Sequence, residues 1–143
     1  MKTFITFSVA IMMSLTSCAG DKVITFSLLP KTAQTFITQN FKKSAIVYCK
    51  MDKDAFSTDY EVMMNDGTEI DFDGKGNWEK IENKIKGVST KFIPKQILHT
   101  LSKKYPKQKI VEYDRSDGKI EVELQNDIEL IFNKNYKLLK TKI

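Results

Sequence analysis

The fold is decided by residues 59–72, DYEVMMNDGTEIDF, in which apolar and polar residues alternate on both sides of Asn65-Asp66-Gly67. Alternation with a period of two is typical of β-strands that bury one face. The triplet suits a three-residue hairpin loop, a type I turn closed by glycine in the left-handed conformation. A two-residue loop would shift the register by one and mix the faces. The three-residue loop gives the pairs Met64–Thr68, Val62–Ile70 and Tyr60–Phe72.

A second hairpin is predicted for residues 120–132, IEVELQNDIELIF. The same loop count around Gln125-Asn126-Asp127 again places apolar residues opposite one another. The pairs are Leu124–Ile128, Val122–Leu130 and Ile120–Phe132. Two independent hairpins with apolar ladders predict an antiparallel sheet that buries one face.

The two hairpins belong to a longer internal duplication. Pro30, Phe41 and Ile46-Val47 recur as Pro94, Tyr105 and Ile110-Val111, at an offset of 64. Glu61-Val62, Glu69, Phe72 and Trp78 recur at an offset of 60 as Glu121-Val122, Glu129, Phe132 and Leu138. The smaller offset predicts four extra residues in one loop of the first copy, around Asp52 to Asp59.

Each copy opens with a proline where a helix begins, a position at which the missing N–H costs nothing. Helical spacing groups the apolar residues Ala33, Phe36, Ile37 and Phe41 in the first copy and Ile97, Leu98, Leu101 and Tyr105 in the second. Strands are predicted at about 45–50, 60–64, 68–72, 78–81, 110–114, 119–124, 128–132 and 138–142. The predicted fold is α+β, a tandem repeat of helix plus four-stranded antiparallel sheet, with the helices packed on one sheet face. The repeats span 27–86 and 87–143.

The opposite sheet face is predicted to be open and acidic. Its candidate protein-binding residues are Glu61, Met63, Glu69, Asp71, Glu121, Glu123, Glu129 and Ile131. Like charges directly opposite each other, such as Glu61 and Asp71, are destabilising. Two interpretations remain: a solvated face screened by lysines, or an acidic platform for a basic partner or a cation.

The N-terminus predicts export. A short positive start and an apolar run from Thr3 to Leu15 are typical of a signal peptide, here residues 1–17. Leu15-Thr16-Ser17-Cys18 resembles a bacterial lipobox, which predicts lipidation of Cys18 and a tether over 18–26. The alternatives are ordinary cleavage after Ala19, giving a soluble secreted or periplasmic protein, or a Cys18 that is simply part of the apolar run. The predicted location is the bacterial cell envelope, where the lipid would anchor the protein in a membrane on the periplasmic side or at the cell surface.

Other candidate chemistries are weak. The net charge of +5 comes from lysines clustered after the helices, and the single Arg115 argues against nucleic-acid binding. Residues 71–82 place acids at some EF-hand positions, but Lys75 takes a ligand position, so we predict a β-turn and no metal site. His99 is predicted to be exposed, Cys49 a small buried residue and Trp78 a packing residue. We expect no cofactor and no catalytic residues.

The chain resembles the PepSY-like family of exported, β-lactamase-inhibitor-like proteins common in Bacteroides-type bacteria. The resemblance rests on Leu29-Pro30, Phe36-Ile37, Phe41, Asp59-Tyr60-Glu61-Val62, Asn65-Asp66-Gly67-Thr68, Asp71-Phe72-Asp73 and Gly76-Asn77-Trp78. The second copy fits through Pro94, Tyr105-Pro106, Ile110, Tyr113, Ile120-Glu121-Val122-Glu123-Leu124 and Leu130-Ile131-Phe132-Asn133. The resemblance implies a fold related to the β-lactamase inhibitor protein, in which the open sheet face binds a protein.

Two functions follow as expectations. The first is a non-catalytic, lipid-anchored envelope protein that binds an unidentified envelope protein through the open sheet face, as an inhibitor of a peptidase or hydrolase would. The alternative is a membrane-tethered sensor of a small ligand or cation. The sequence leaves the oligomeric state open, because edge strands can pair with other chains.

Overall fold

The computed structural model describes residues 20–41 and 46–143, which form one nine-stranded antiparallel sheet and two α-helices. The elements are β1 (Gly20–Ile24), α1 (Lys31–Asn40), β2 (Ile46–Lys53), β3 (Thr58–Met64), β4 (Glu69–Phe72), β5 (Trp78–Glu82), α2 (Lys95–Lys104), β6 (Ile110–Asp114), β7 (Ile120–Leu124), β8 (Glu129–Phe132) and β9 (Leu138–Lys142). Short 3-10 turns lie at Phe26–Leu28, Thr90–Phe92 and Ser116–Gly118. The strands follow one another across the sheet in chain order.

Both predicted hairpin registers are confirmed. Val62 pairs with Ile70, and Tyr60 pairs with Phe72. In the second hairpin Val122 pairs with Leu130 and Ile120 with Phe132. The loops close as expected, because Gly67 has a φ of 85° and Asp127 takes the same left-handed region with a φ of 64°.

The core lies between the helices and one face of the sheet. The helices contribute the buried residues Ala33, Ile37, Ile97 and Leu101. The sheet contributes fully buried side chains that include Val62, Ile70, Phe72, Ile81, Val122, Leu124, Leu130 and Phe132. Helices begin after Pro30 and Pro94, as the sequence predicts. The helix-covered face and the open face are therefore divided as expected.

The strand arrangement differs from the prediction in two ways. The chain forms one continuous sheet instead of two four-stranded sheets, because β5 pairs with β6 through Lys80–Asp114 and Glu82–Glu112. An additional strand, β1, lies within the segment that we predicted to be a tether, and it pairs with the far end of β2.

The extra residues of the first copy lengthen a hairpin instead of a loop. Strand β2 extends to Lys53 and β3 begins at Thr58, and β1 pairs with residues 49–53, the end of β2 that includes this extension. Residues 1–19 and 42–45 lie outside the described residues, and with them the predicted signal peptide, the candidate lipidation residue Cys18 and the predicted start of β2 at Ala45.

An aromatic cluster joins the two halves of the chain. Phe36 of α1 stacks on Trp78 of β5, with ring centroids 5.8 Å apart. Phe92, which precedes α2, stacks on Phe41 at 5.8 Å and meets Trp78 edge-on at 6.0 Å. Tyr113 of β6 also contacts Trp78, with ring centroids 5.8 Å apart. Trp78 is thus a packing residue, as predicted.

Candidate functional site

The open face carries a row of glutamates that crosses five adjacent strands. Each pairs with the next through the sheet register, from β4 to β8. The row consists of Glu69, Glu82, Glu112, Glu123 and Glu129. Because side chains directly opposite each other in an antiparallel sheet have Cβ atoms about 5 Å apart, their carboxylates are close neighbours.

A second row runs parallel to the first, two residues along each strand. It contains Glu61, Asp71, Lys80, Asp114, Glu121 and Ile131 in register. All eight candidate residues of the sequence analysis therefore lie on this face, in the two rows and, for Met63, beside Glu69. We call the two rows and Met63 the acidic face.

Lysines neutralise part of the acidic face. Lys80 lies 3.3 Å from Asp71 and 3.8 Å from Glu69. Lys84 lies 3.2 Å from Glu123, and Lys142 lies 2.7 Å from Glu129. Partly exposed pairs of this kind contribute little to stability, typically about 0–1 kcal/mol each. Since carboxylates outnumber lysines on the face, it keeps a negative charge although the whole chain is positive.

The centre of the glutamate row holds two carboxyl groups that face each other. Glu82 and Glu112 lie opposite each other on β5 and β6. Burial, followed by the hydrogen bond with Glu82, raises the pKa of the Glu112 carboxyl from 4.5 to about 7. The Glu112 carboxyl therefore binds a proton as the pH falls below about 7, which reduces the repulsion in the row.

Three carboxylates at the β3–β4 end of the face form a group with the spacing of metal ligands. Glu61, Glu69 and Asp71 each offer an oxygen, and these atoms lie within 4.8 Å of one another. Lys80 already places its ammonium against two of them, and Tyr48 donates a 2.6 Å hydrogen bond to Glu61. Burial raises the pKa of Asp71 and of Glu69, and Lys80 opposes the shift at both.

A cavity of 260 Å³ opens beside this group at the β1 end of the sheet. Its charged walls are mostly acidic: Asp21, Asp52, Asp59, Glu61, Asp71 and Glu79, with Lys50. Lys50 lies 3.4 Å from Glu61, and Glu61 together with Tyr48 raises the pKa of this lysine.

Sequence reasoning missed Glu82 and Glu112, which connect the acidic residues of the two halves. Their positions depend on the β5–β6 pairing, which joins segments separated by a helix and therefore leaves no local signal of register. Alternation in Trp78–Glu82 was visible in the sequence, since Lys80 and Glu82 flank the buried Ile81. It could have identified Glu82 as an open-face residue.

The remaining candidates behave as the sequence predicts. Residues 73–77 form a turn between strands, in which the Asp73 carboxylate accepts hydrogen bonds from the backbone N–H groups of Lys75 and Asn77, both at 2.9 Å. The carboxylate of Asp73 is thus engaged in hydrogen bonds within the turn. His99 is exposed. Cys49 is a free thiol that is only 2% exposed, and burial raises its pKa.

The fold and the face together define a class of protein: an α+β sheet backed by two helices, with a charged open surface. A family model described as "Putative beta-lactamase-inhibitor-like, PepSY-like" matches residues 14–62 and residues 58–140. The chain therefore belongs to the PepSY-like family. The resemblance noted in the sequence is confirmed.

Three solved structures from Bacteroides show the same fold. A protein described as a putative calcium-regulated periplasmic protein from Bacteroides thetaiotaomicron is 34% identical, with a TM-score of 0.81 over 86% of this chain and 97% of its own. A putative periplasmic protein of the DUF2874 family from Bacteroides vulgatus is 30% identical, with a TM-score of 0.80 over 88% and 99%. A putative periplasmic protein of unknown function from the same species is 33% identical, with a TM-score of 0.80 over 87% and 100%.

A search of curated proteins finds no match. Neither α1 nor α2, nor any other helix within residues 20–41 and 46–143, has the length and apolar character needed to cross a bilayer. The relatives of known structure are described as periplasmic.

Proposed function

We propose that this chain is a non-catalytic envelope protein that binds a partner protein through the acidic face. The observation that carries the proposal is the continuous glutamate row across five strands, on the face that neither helix covers. The partner presents a basic surface, because charge complementarity steers association and selects partners. We take the partner to be an envelope peptidase or hydrolase, and the beta-lactamase-inhibitor-like description of the family supports a hydrolase.

Charge segregation supports this proposal. The chain carries a net charge of +5, so its lysine-rich parts repel a basic partner while the acidic face attracts it. The partly exposed Met63 and Ile131 supply apolar contact between the carboxylates. A face that combines charge with apolar area can both orient and hold a partner.

A pull-down from envelope extract tests the proposal. We expect Glu61→Lys/Glu123→Lys to lose a partner that the wild-type protein retains, and rising salt to release it because exposed charges are screened. The matched control is Thr35→Lys/Gln39→Lys/Gln96→Lys/Ser102→Lys, which adds the same four units of positive charge at exposed positions of α1 and α2. Identical partners for the wild type and the acidic-face variant would contradict the proposal.

The second candidate function is cation binding at Glu61, Glu69 and Asp71. It is favoured by the 4.8 Å spacing of their oxygens and by the relative described as calcium-regulated. Carboxylates are the ligands that Ca²⁺ prefers. The ion must displace Lys80, whose ammonium lies 3.3 Å from Asp71, so the affinity of the wild-type site is weak.

Calorimetric titration with CaCl₂ tests this candidate. We expect a heat of binding that Asp71→Asn abolishes and that Lys80→Gln strengthens, because the competing ammonium is removed. Glu129→Gln, which changes an open-face carboxylate on a distant strand, is the control and leaves the heat unchanged. A titration without heat in both the wild type and Lys80→Gln would dismiss the cation site.

We also propose that residues 1–17 are a signal peptide and that Cys18 is lipidated, with 18–26 as the exported N-terminal segment. Leu15-Thr16-Ser17-Cys18 supports lipidation, and the periplasmic descriptions of the relatives support export. Cys18→Ala should move the mature protein from the membrane fraction to the soluble periplasm. The same distribution for both proteins would reject lipidation in favour of cleavage after Ala19.

The internal duplication is likewise our inference, with repeats at 27–86 and 87–143. It is supported by the order of elements, since a 3-10 turn, an α-helix and four strands occur in this order in each stretch.

A further inference from the structure

Two equivalent turns in the two halves carry different residues at one position. Gly76 donates its backbone N–H to Asp73 at 2.9 Å, and Tyr136 donates its own to Asn133 at 2.9 Å. Both residues are in the left-handed region, with φ of 85° and 62°. Glycine adopts this conformation freely, whereas an aromatic residue is strained there. Tyrosine therefore replaces the residue that the turn itself favours.

The difference between Gly76 and Tyr136 changes the space beside the start of the nearby helix, which is α1 in the first half and α2 in the second. In the first half Gly76 is buried against the start of α1, where an added Cβ would lie 2.7 Å from Pro30 Cβ and 2.8 Å from Ala33 N. This close approach leaves no room between the turn and the start of α1. In the second half a cavity of 260 Å³ opens beside the start of α2, and Phe92, Tyr113 and Tyr136 form its aromatic walls.

The charged groups around this cavity are all positive. Arg115, Lys119 and Lys134 line it, and no acidic residue is among the described residues that do so. Because opposite charges are absent from the walls, the cavity attracts anions, in contrast to the acidic cavity on the other side of the sheet.

Arg115, the single arginine of the chain, is held in place without an acidic partner. Its Nε and Nη2 donate to the backbone oxygen of Trp78 at 3.1 and 2.8 Å, and its guanidinium lies 3.6 Å from the centroid of the Trp78 ring. Glu79 acts on it electrostatically, but no carboxylate of the described residues forms an ion pair with it. The guanidinium of Arg115 is thus held in one orientation, while no carboxylate of the described residues pairs with its charge.

We propose that this cavity, the Arg115 cavity, binds a small organic anion: a carboxylate or phosphate group on an aromatic body. Arg115 and Lys134 bind the anionic oxygens, because arginine pairs with carboxylate and phosphate through parallel hydrogen bonds. Phe92, Tyr113 and Tyr136 receive the aromatic body. The volume is below the range of about 300–1,000 Å³ that is typical of larger ligands, so the ligand is small.

Calorimetry with three probes tests the proposal on the purified protein. Phenylacetate and phenyl phosphate represent the two sources of anionic oxygen, and 2-phenylethanol is the neutral analogue. We expect heat of binding with at least one anion and none with the alcohol. Equal binding of the alcohol, or no heat with either anion, would overturn the proposal.

Matched variants locate the binding in the Arg115 cavity. Arg115→Gln and Lys134→Gln should each weaken the better anion about tenfold or more, as expected for the loss of a charged hydrogen bond. Lys75→Gln, in the equivalent turn of the first half, should have no effect. Tyr136→Gly keeps the turn conformation and should weaken binding while circular dichroism stays native. Undiminished affinity in Lys134→Gln and Tyr136→Gly would place the ligand elsewhere and refute the proposal.

Discussion

Gly76 shows how one backbone position constrains the packing of a helix. Its left-handed conformation and its contact with α1 leave no space for a side chain. We expect Gly76→Ala to destabilise the protein by about 3 kcal/mol, because it combines a left-handed alanine with overpacking. Chemical denaturation monitored by Trp78 fluorescence measures the change. Gly20→Ala is the control, since an added Cβ there has no neighbour within 4 Å, and a similar loss in both variants would contradict this account.

Glu112 makes stability depend on pH. Its pKa is 4.5 in its ordinary state and about 7 in the folded protein, so between these values the folded state binds more protons than the unfolded state. The contribution of this group to stability is therefore fully present below pH 4.5 and is lost as the pH rises through about 7.

The variant Glu112→Gln should remove this loss. Because the Glu112 side chain is only partly buried, solvent screening reduces the effect, and we expect a gain on the order of 1 kcal/mol at pH 8 relative to the wild type. Urea denaturation at pH 4.5 and at pH 8 measures it. Glu121→Gln makes the same change in charge on the adjacent strand, and a gain of equal size there would show that general repulsion is responsible instead.

At the scale of elements, Asn83 connects the β3–β4 turn with the segment that leads to α2. Its Nδ2 donates to Thr68 Oγ1 at 2.9 Å and to Asp66 O at 3.2 Å, and its Oδ1 accepts from the backbone N–H groups of Ile85 and Lys86 at 3.0 and 2.8 Å. Asn83 is 2% exposed, so water cannot replace these partners.

Removing this amide should leave several polar groups without partners. We expect Asn83→Ala to cost about 2–3 kcal/mol, the penalty of buried unsatisfied groups. Thermal denaturation measures the loss, and Asn126→Ala in the exposed turn of the other hairpin should change stability by less than about 0.5 kcal/mol. A loss below about 1 kcal/mol for Asn83→Ala would mean that the segment holds its position without the side chain.

Elements were predictable where the deciding information is local. The two hairpin registers follow from loop triplets and from flanking alternation, and the helix starts follow from Pro30 and Pro94. Strand β1 was not predictable, because Gly20–Ile24 is a polar edge strand whose burial pattern is almost entirely exposed. It pairs with residues 49–53 of β2, so the lengthened β2–β3 hairpin supplies part of the edge that β1 uses.

The residues of the acidic face were likewise predictable where local sequence determines the register. The eight residues from β3, β4, β7 and β8 were assigned to the correct face by the hairpin registers. The neighbourhood of Glu82 and Glu112 was not predictable because β5 and β6 meet across α2, although the alternation around Ile81 could have assigned Glu82 to the open face. The Arg115 cavity left no sequence signal beyond the lone arginine, since it depends on Tyr136 standing where the other half has glycine.

At the scale of the whole molecule, the halves share one core. Buried residues of both helices and of strands from β2 to β8 form a single hydrophobic cluster, and the aromatic cluster around Trp78 joins the halves. We therefore expect unfolding in a single transition, with fluorescence of Trp78 and circular dichroism at the same midpoint. Two separated transitions would show that the halves unfold independently.

Phe92 is the residue whose loss should weaken this connection most directly. It contacts Phe36, Phe41 and Trp78, with centroid distances of 5.7, 5.8 and 6.0 Å. We expect Phe92→Ala to lower stability by about 2–3 kcal/mol, since the ring is partly buried. Phe56→Ala is the control, because Phe56 is 100% exposed and its loss should be neutral in the same calorimetric scan.

The order of the strands has a consequence for how the molecule is made. Every strand lies beside the strand that precedes it in the chain, so no strand must be inserted between two that have already paired. A chain that emerges amino end first, from a ribosome or through a translocation pore, can add each strand as soon as it is released. Sheets built from such short-range pairings fold faster than sandwiches of the same size, which limits the time during which an unfinished edge is exposed to other chains.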